Sequence, residues 1–376
     1  MTACGTVAMH LIVPALPATA AALHVSASVV QLTITLYIVG LAIGQPLYGP
    51  ISDRFGRRPV LLIGLCLFTA GGLATAIAPG AITLIVARVV QSIGGCSGLV
   101  LGRAIVRDSA SGDRAAARLA LLTLVMSMAP AIAPVIGGYA TAYLGWRAAF
   151  AVIVVIGAVT TALTALMLPE TNRPVATSRG GTPLLIGTVR LLRSHTFRGF
   201  AIGGACTTTS FYAFMAASPF IFEDLLRQPP QRVGLYYLLL MLGLAAGGFT
   251  ANRLAGRMRM DRALRLGNMI SIAAAAWFLL TWPTGTFGVA SVVVSVALFM
   301  MGAGIASPFA LTGAVSVNPH AIGAASGLYG FIQMSYGALC TVVVESWNPG
   351  SVITVGVVML GSAVVGQIAL SLAMRQ

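Results

Sequence analysis

Twelve long apolar runs constrain this chain more than any other feature of its sequence. Each run is long enough to cross a hydrocarbon layer of about 30 Å as an α-helix. The runs fall near 3–22, 30–50, 59–79, 82–105, 117–143, 147–168, 199–222, 233–255, 264–283, 286–310, 321–344 and 350–374. We therefore predict an all-α membrane protein with twelve transmembrane helices.

Composition favours the membrane over the other classes that a basic chain suggests. Of the 376 residues, 58% are hydrophobic and 8% are charged, whereas about a quarter of the residues in soluble domains are charged. The net charge of +14 does not indicate nucleic acid as a partner, because a nucleic-acid-binding surface displays its cations on a solvated face. The run at 3–22 follows no basic segment and no clear cleavage signal, so we expect a retained first span.

The sequence offers no recognisable centre for catalysis, a metal or a cofactor. Its five cysteines occur singly inside apolar runs, without the close spacing of a metal site or a disulfide framework. It contains no P-loop, no His-Glu-x-x-His pattern and no nucleophile elbow. We predict that the protein is not an enzyme and that an ion gradient, rather than ATP, drives it.

The longest polar stretch divides the chain into two nearly equal halves. Residues 169–198 are predicted to be a linker between six-helix bundles at 1–168 and 199–376. A weak repeat supports this division, because the pattern G-x-x-x-D/N-R occurs at 49–54 and again at 248–253. We expect two pseudo-symmetric parallel bundles.

The arginines predict the orientation in the membrane. Of the 22, 18 lie in the turns after spans two, four, six and eight or at the C-terminus. The positive-inside rule makes that side cytoplasmic, together with both termini and the linker. Trp146, Trp282 and Trp347 lie at the opposite ends, where interfacial tryptophan is expected.

The turn "GPISDRFGRRPV", residues 49–60, concentrates charge in a chain that has little elsewhere. Gly49 favours close helix packing, Gly56 permits a backbone reversal, and Asp53 sits among cations with which it can form charge-assisted bonds. We predict a cluster that holds neighbouring helices together as a cytoplasmic gate. Its residues are Gly49, Asp53, Arg54, Gly56, Arg57 and Arg58.

This turn matches every fixed position of G-x-x-x-D-R-x-G-R-R, the signature of the major facilitator superfamily. Six further stretches resemble, in order, the Bcr/CflA family of drug-efflux proton antiporters: VPALP, RAIVRD, APAIAPVIGG, GWRAAF, LPET and ASPFIF. The resemblance implies proton-coupled export of drug-like compounds across a bacterial inner membrane. It also implies that Asp53 contacts the start of span eleven, near Ala321, where a positive helix end favours a carboxylate.

Two ionisable residues inside the spans are candidates for proton coupling. A charge at a helix centre costs about 2.5 to 3.5 kcal/mol, so Arg88 and His10 each suggest a function. The resemblance places Arg88 in the family's fourth-helix arginine motif, and His10 where the family usually has an aspartate. Two alternatives stay open: an Arg88 that snorkels to the interface, and a His10 that hydrogen-bonds a neighbouring helix.

Span five combines prolines and glycines that kink a helix and allow close packing. The residues are Pro130, Pro134, Gly137 and Gly138. They resemble the superfamily's antiporter motif, which implies export rather than import.

A central pocket for lipophilic compounds needs aromatic and uncharged polar walls. The candidate substrate-binding residues are Tyr37, Gln91, Phe211, Tyr212 and Gln333. Most of the other carboxylates are expected to be solvated loop charges: Asp108, Asp113, Glu170 and Asp261 on the cytoplasmic side, and Glu223, Asp224 and Glu345 on the outer side. For Glu223 and Asp224, at the mouth of span seven, attraction of cationic compounds is the alternative.

Together these features predict a monomeric, proton-coupled multidrug efflux transporter that works by alternating access. Its partners are protons, the lipid bilayer and small hydrophobic or amphipathic drug-like substrates. Two alternatives stay open: a proton-coupled carrier of one metabolite, such as a sugar or amino acid, and a non-transporting membrane sensor of the same fold.

Overall fold

The computed structural model describes residues 1–109, 112–171, 191–317, 322–347 and 351–374. All regular secondary structure in these ranges is helical. The bundle of the first half contains α1 (Cys4–Leu11), α2 (Leu16–Leu23), α3 (Ala27–Phe55), α4 (Arg57–Ala76), α5 (Ala81–Ser109), α6 (Gly112–Leu144) and α7 (Trp146–Met167). The second half contains α8 (His195–Thr209), α9 (Phe211–Phe220), α10 (Pro230–Leu254), α11 (Met260–Thr281), α12 (Val289–Ser316), α13 (Ile322–Trp347) and α14 (Val352–Ala373).

These helices follow the twelve predicted spans in order. Ten helices in the described ranges are long and apolar enough to cross a membrane, with α1 and α2 together forming the first. Within α6, the apolar part at Met128–Leu144 is shorter. The seventh span is carried by α8 and α9. The predicted all-α membrane fold is confirmed.

Two of the predicted continuous spans are broken. A 3-10 turn at Val13–Ala15 separates α1 from α2, because Pro14 lacks the N–H that would continue the α-helical bonding. The seventh span is interrupted at Ser210, between α8 and α9, and a π-helical turn at Ile221–Leu225 follows α9. Single π-helical turns occur frequently at functional sites.

The described residues form two compact units. Within the described ranges, the first comprises residues up to 171 together with Pro229–Leu235, and the second comprises residues 191–228 together with those from Tyr236 onward. The bounds of the linker at 169–198 stay a prediction, because 172–190 lie outside the described residues.

Helix α5 lies at the centre of the first unit, and glycines let its neighbours approach closely. A Cβ on Gly94 would overlap the backbone nitrogen of Phe68 in α4, and one on Gly98 would overlap the carbonyl of Met1. A Cβ on Gly44 in α3 would lie 2.8 Å from that of Cys96. Without a hydrophobic driving force in lipid, such close backbone contact is a main source of helix association.

In the second unit, a buried amide joins three helices. The side chain of Asn268 in α11 accepts a hydrogen bond from Thr207 of α8 and donates to the carbonyl of Ala363 and to Gln367 in α14, each at 2.9 Å. Interhelical bonds of this kind contribute on average about 0.6 kcal/mol each in a membrane. Asn268 therefore fixes the relative rotation of helices that otherwise pack through apolar surfaces.

Candidate functional site

Arg88 of α5 is wholly buried, with 0% of its surface exposed. Its guanidinium carbon lies 3.9 Å from the centre of the Tyr37 ring in α3, so the ring face stabilises the cation. The hydroxyl of Tyr37 donates to the carbonyl of Gly5 at 2.9 Å, which fixes the ring. This burial contradicts the alternative in which Arg88 snorkels to the interface.

The hydrogen bonds of Arg88 satisfy only part of its guanidinium. One nitrogen, Nη1, donates to Gln91 Oε1 at 2.5 Å and to the carbonyl of Ala8 in α1 at 3.3 Å. Within the described residues, Nε and Nη2 of Arg88 and Nε2 of Gln91 have no hydrogen-bond partner. Buried donors without partners cost free energy, so the cluster has donors left over for a further acceptor.

His10 lies on α1, two residues after Ala8, and is 4% exposed. Its Nδ1 lies 2.8 Å from the carbonyl of Thr6. Because a carbonyl only accepts, Nδ1 carries the ring proton of the neutral imidazole, and Nε2 is the nitrogen able to take up another. The structure thus connects Arg88 to the helix that carries His10, through the backbone at Ala8.

The turn between α3 and α4 requires glycine at position 56. Gly56 has φ +96° and ψ 150°, a conformation that side chains disfavour. The Glu170 carboxylate accepts hydrogen bonds from the backbone N–H groups of Arg57 at 3.0 Å and Arg58 at 3.1 Å. A Cβ on Gly56 would lie 2.7 Å from Glu170 Oε2, so the glycine also makes room for this helix cap.

Arg57 is the centre of an ion-pair network next to this turn. Its guanidinium pairs with Asp53 at 2.5 Å and with Asp108 of α5 at 3.0 Å, and donates to Ser52 Oγ at 2.5 Å. The side chain of Arg57 is 9% exposed, whereas that of Asp53 is 63% exposed. Arg58 donates to the carbonyl of Ala165 in α7 at 2.7 Å. The predicted cluster therefore connects α3, α4, α5 and α7.

Two residues of this network do more than the sequence analysis predicts. Asp108 and Glu170 are exposed, as expected of loop charges, but each also binds the α3–α4 turn. They lie 51 and 113 residues from Arg57, a separation at which local patterns carry no information about contact. Their positions in the RAIVRD and LPET stretches were the available signal.

The remaining turn residues differ in their surroundings. A Cβ on Gly49 would meet no atom within 4 Å, so this glycine is not the close helix contact that was predicted. The guanidinium of Arg54 stacks on the exposed ring of Phe55, with its carbon 5.2 Å from the ring centre. The predicted contact of Asp53 near Ala321 falls outside the described residues and stays a prediction.

The two glycines of the antiporter helix, Gly137 and Gly138, each allow close contact with a different neighbouring segment. Both Pro130 and Pro134 lie inside α6. A Cβ on Gly137 would overlap the carbonyl of Leu11 at the end of α1, and one on Gly138 would lie 2.5 Å from the carbonyl of Pro230. A Cβ on Gly234 would in turn lie 2.5 Å from the carbonyl of Pro134. All of these residues belong to the first unit, in which α6 packs tightly on both sides.

The pocket candidates separate into two groups, one in each unit. Tyr37 and Gln91 belong to the Arg88 cluster. In the second unit, Gln333 donates to Thr208 Oγ1 at 2.8 Å, and a Cβ on Gly337 would overlap the ring of Tyr212. Phe211 is 3% exposed and packs against Phe214 and Tyr237. These three candidates surround the break between α8 and α9.

Comparison with known proteins decides the family. The model of the Major Facilitator Superfamily matches residues 1–341. The chain belongs to this superfamily. It is 31% identical over 97% of its length, and 91% of the relative's, to "Uncharacterized MFS-type transporter YdgK" of Bacillus subtilis strain 168.

A second relative supports the branch that the motifs indicated. "Bicyclomycin resistance protein homolog" of Haemophilus influenzae strain Rd is 27% identical over 86% of this chain and 81% of its own. The Bcr/CflA resemblance is thereby confirmed. Among solved structures, a D-xylose-proton symporter has a TM-score of 0.76 at 16% identity, with 99% of this chain and 95% of that chain covered. At that identity the likeness shows the fold alone, which is that of a multi-pass membrane transporter.

Proposed function

We propose that this member of the superfamily exports small hydrophobic or amphipathic drug-like compounds in exchange for protons. The observation that carries the proposal is the Arg88 cluster: a buried cation on α5 that has two nitrogens without a partner among the described residues and that binds the backbone of α1, the helix of His10. The relative named for bicyclomycin resistance supports drug export over the transport of one metabolite. A non-transporting sensor gives no physical reason for the donors of Arg88 and Gln91 that lack a partner among the described residues.

The proposed orientation follows from the arginine distribution, and the proposed location follows from the family resemblance. Both termini face the cytoplasm of a bacterial cell, the protein spans the inner membrane, and a monomer is the working unit. The α3–α4 turn then lies on the cytoplasmic side, and the beginning of α5 lies toward the outer side. A proton from outside therefore meets the Arg88 cluster before it meets the turn.

Proton exchange takes place at His10 Nε2. Protonation places a positive charge on α1, and the Arg88 cation of α5 binds the backbone of that same helix at Ala8. Like charges in a region of low dielectric repel strongly, so the protonated state favours movement of Arg88 away from α1. Release of the proton toward the cytoplasm restores the bond, and the substrate loads in the state from which the proton has left.

The α3–α4 turn acts as the cytoplasmic gate. Arg57 draws together Asp53 and Asp108, while Glu170 caps α4. In the state closed to the cytoplasm, the Asp53 side chain, which is 63% exposed, makes the additional contact that the family resemblance implies. The network stabilises this state without occupying the substrate path.

The test is a pH-probe assay in inverted membrane vesicles. Vesicles with the protein are energised with a proton gradient, and bicyclomycin-like, chloramphenicol-like and cationic dye compounds are added in turn. We expect substrate-induced proton release that His10→Ala and Arg88→Ala abolish. His195→Ala is the matched control, because His195 lies at the exposed start of α8 and binds only Arg198 among its described partners.

Two outcomes contradict the proposal. Proton release that survives both substitutions in correctly inserted protein excludes the Arg88 cluster as the coupling site. The absence of any response across the panel, with inserted wild-type protein, favours a carrier of a single metabolite or a non-transporting relative.

A further inference from the structure

The turn between α10 and α11 carries a dense group of arginines that the transport mechanism does not use. Five arginines occur between positions 253 and 265, and all are exposed. Arg259 pairs with Asp261 at 3.2 Å. We call the other four, Arg253, Arg257, Arg262 and Arg265, the arginine patch.

The corresponding turn of the first half is neutralised by the protein itself. There, Asp53, Asp108 and Glu170 bind Arg57 or the backbone beside it. In the second half the repeat places Asn252 where the first has Asp53. The two turns share a sequence pattern but differ in how their charge is balanced.

Few carboxylates are available to the arginine patch. From residue 199 onward the sequence contains Glu223, Asp224, Asp261 and Glu345. Glu223 and Asp224 precede the opposite end of α10, a helix of 25 residues and so about 37 Å long. The span order places Glu345 on that opposite side as well. Among the carboxylates of the second half, Asp261 is thus the one near the patch; it pairs with Arg259 and interacts electrostatically with Arg265, so one carboxylate faces five arginines.

The patch lies at the end of an apolar face that is open to the membrane. Arg262 and Arg265 stand three residues apart in the first turns of α11, and Leu266, Met269 and Trp277 follow on the exposed side of the helix. Side chains exposed along a membrane-spanning helix contact acyl chains, so arginines at its end lie at the level of the lipid headgroups. Arg253 stacks on the exposed ring of Phe249, with its carbon 4.5 Å from the ring centre, which is an arrangement typical of the interface.

The chemistry of the patch fits phosphate. The guanidinium fork binds a phosphate with two parallel hydrogen bonds, and arginine is the side chain suited to such planar recognition. The first turn of α11 already has its own anion, Asp261, and the backbone N–H groups of Arg262 and Ala263 donate to the carbonyl of Arg259. The attraction for a further anion therefore comes from the arginine side chains.

We propose that the arginine patch binds the phosphate headgroup of an anionic phospholipid. The assignment to the cytoplasmic leaflet rests on the orientation given under the proposed function, whereas binding itself does not. The anionic lipid supplies the negative charge that Asp53, Asp108 and Glu170 supply in the first half. It thereby holds the α10–α11 turn at the membrane surface.

Lipid binding is measured on the full chain in detergent micelles by native mass spectrometry. Dioleoyl phosphatidylglycerol is the probe, dioleoyl phosphatidylcholine is the neutral lipid, and inorganic phosphate is the soluble anion. Each arginine near an anionic lipid contributes about 1 kcal/mol, or roughly fivefold in affinity. We expect phosphatidylglycerol to bind preferentially and Arg262→Gln/Arg265→Gln to weaken it about 25-fold.

Two further variants test whether lipid binding depends on the guanidinium groups of the arginine patch or only on positive charge. Arg262→Lys/Arg265→Lys keeps the charge but removes the fork, so we expect a loss of only a few fold. Arg227→Gln/Arg232→Gln removes two exposed arginines at the other end of α10 and is expected to leave lipid affinity unchanged. All four positions are exposed, so folding is expected to survive, and size-exclusion chromatography checks it.

The outcomes that overturn the proposal are distinct. Equal binding of the two lipids, or unchanged phosphatidylglycerol binding by the Arg262→Gln/Arg265→Gln variant, excludes the site. Inorganic phosphate that competes at the lipid's own concentration indicates a soluble anion instead. None of these readouts depends on transport, so a failure of the efflux proposal leaves this test intact.

Discussion

Gly56→Ala is expected to destabilise the first unit by about 2 to 4 kcal/mol, whereas Gly49→Ala, seven residues earlier in the same motif, is expected to do no harm. An alanine at φ +96° and ψ 150° pays a backbone strain of about 1 to 3 kcal/mol. Its Cβ would also stand 2.7 Å from Glu170 Oε2, which displaces the carboxylate and weakens two hydrogen bonds of about 1 kcal/mol each.

Gly49 offers the matched control. It lies inside α3 with no atom within 4 Å of an added Cβ, and alanine is favoured over glycine in a helix interior by about 0.8 to 1 kcal/mol. Both glycines are fixed positions of the same sequence motif. The structure nevertheless predicts that the effects of their alanine substitutions on the free energy of unfolding differ by about 3 to 5 kcal/mol.

The assay is thermal unfolding of the purified protein in detergent, followed by tryptophan fluorescence. For a unit of nearly 200 residues, 1 kcal/mol shifts the midpoint by about 2 to 4 °C, so Gly56→Ala is expected to melt roughly 5 to 10 °C below the wild type. In a Glu170→Ala background only the backbone strain remains, and the penalty of Gly56→Ala is expected to fall by about 1 to 2 kcal/mol. Equal midpoints for the two glycine variants, or an undiminished penalty without Glu170, would refute the reasoning.

Three further predictions concern the gate, the buried cation and a carboxyl just beyond the seventh span. Asp53→Asn is expected to leave insertion intact but reduce export, because the neutral amide loses its ion pair with Arg57; wild-type export by well-inserted protein contradicts the gate. Tyr37→Phe keeps the ring face under Arg88 and loses only the bond to Gly5, so it is expected to retain substrate-induced proton release in vesicles. Tyr37→Ala removes the ring and is expected to lose proton release. Equal activities of the two variants would contradict the cation–ring contact. Burial, and then the nearby charge of Asp224, raise the pKa of Glu223 to about 8. The stability that its protonated form provides is therefore fully present below pH about 4.5, and it is lost as the pH rises through 8. Glu223→Gln, which stays neutral, is therefore expected to raise the melting midpoint at pH 8.5 and to change it little at pH 5, and a shift of equal size at both values contradicts the buried carboxyl.

Local patterns predicted most of the fold and part of the site. A helix needs about 20 consecutive apolar residues to cross the hydrocarbon layer, so the hydropathy along the sequence was enough to predict the spans. Pro14 was visible in the first span, but the sequence did not say that the helix would break there into a 3-10 turn. The burial of Arg88 and its stacking on Tyr37 depend on the packing of α3 against α5, which hydropathy does not encode.

The α3–α4 turn illustrates the limit of motif reading. The motif identified Asp53 and Arg57 because they lie four residues apart, within one turn of chain. Asp108 and Glu170 join them only after α5 and α7 have packed, and the same reasoning that treated them as loop charges applies to any carboxylate near a span end. For Gly49, the motif identified the position but not its environment.

The helix α5 carries both Arg88 and Asp108, twenty residues and about 30 Å apart. A continuous helix rotates as one rigid body about its axis, so Arg88 and Asp108 keep a fixed angle to each other around that axis. Insertion or deletion of a single residue between them would turn one site by about 100° relative to the other, although neither site would have lost a side chain. The length of this helix is therefore as much a part of the mechanism as the residues at its two ends, and a transporter whose α5 is shortened by one residue would keep every motif and fail.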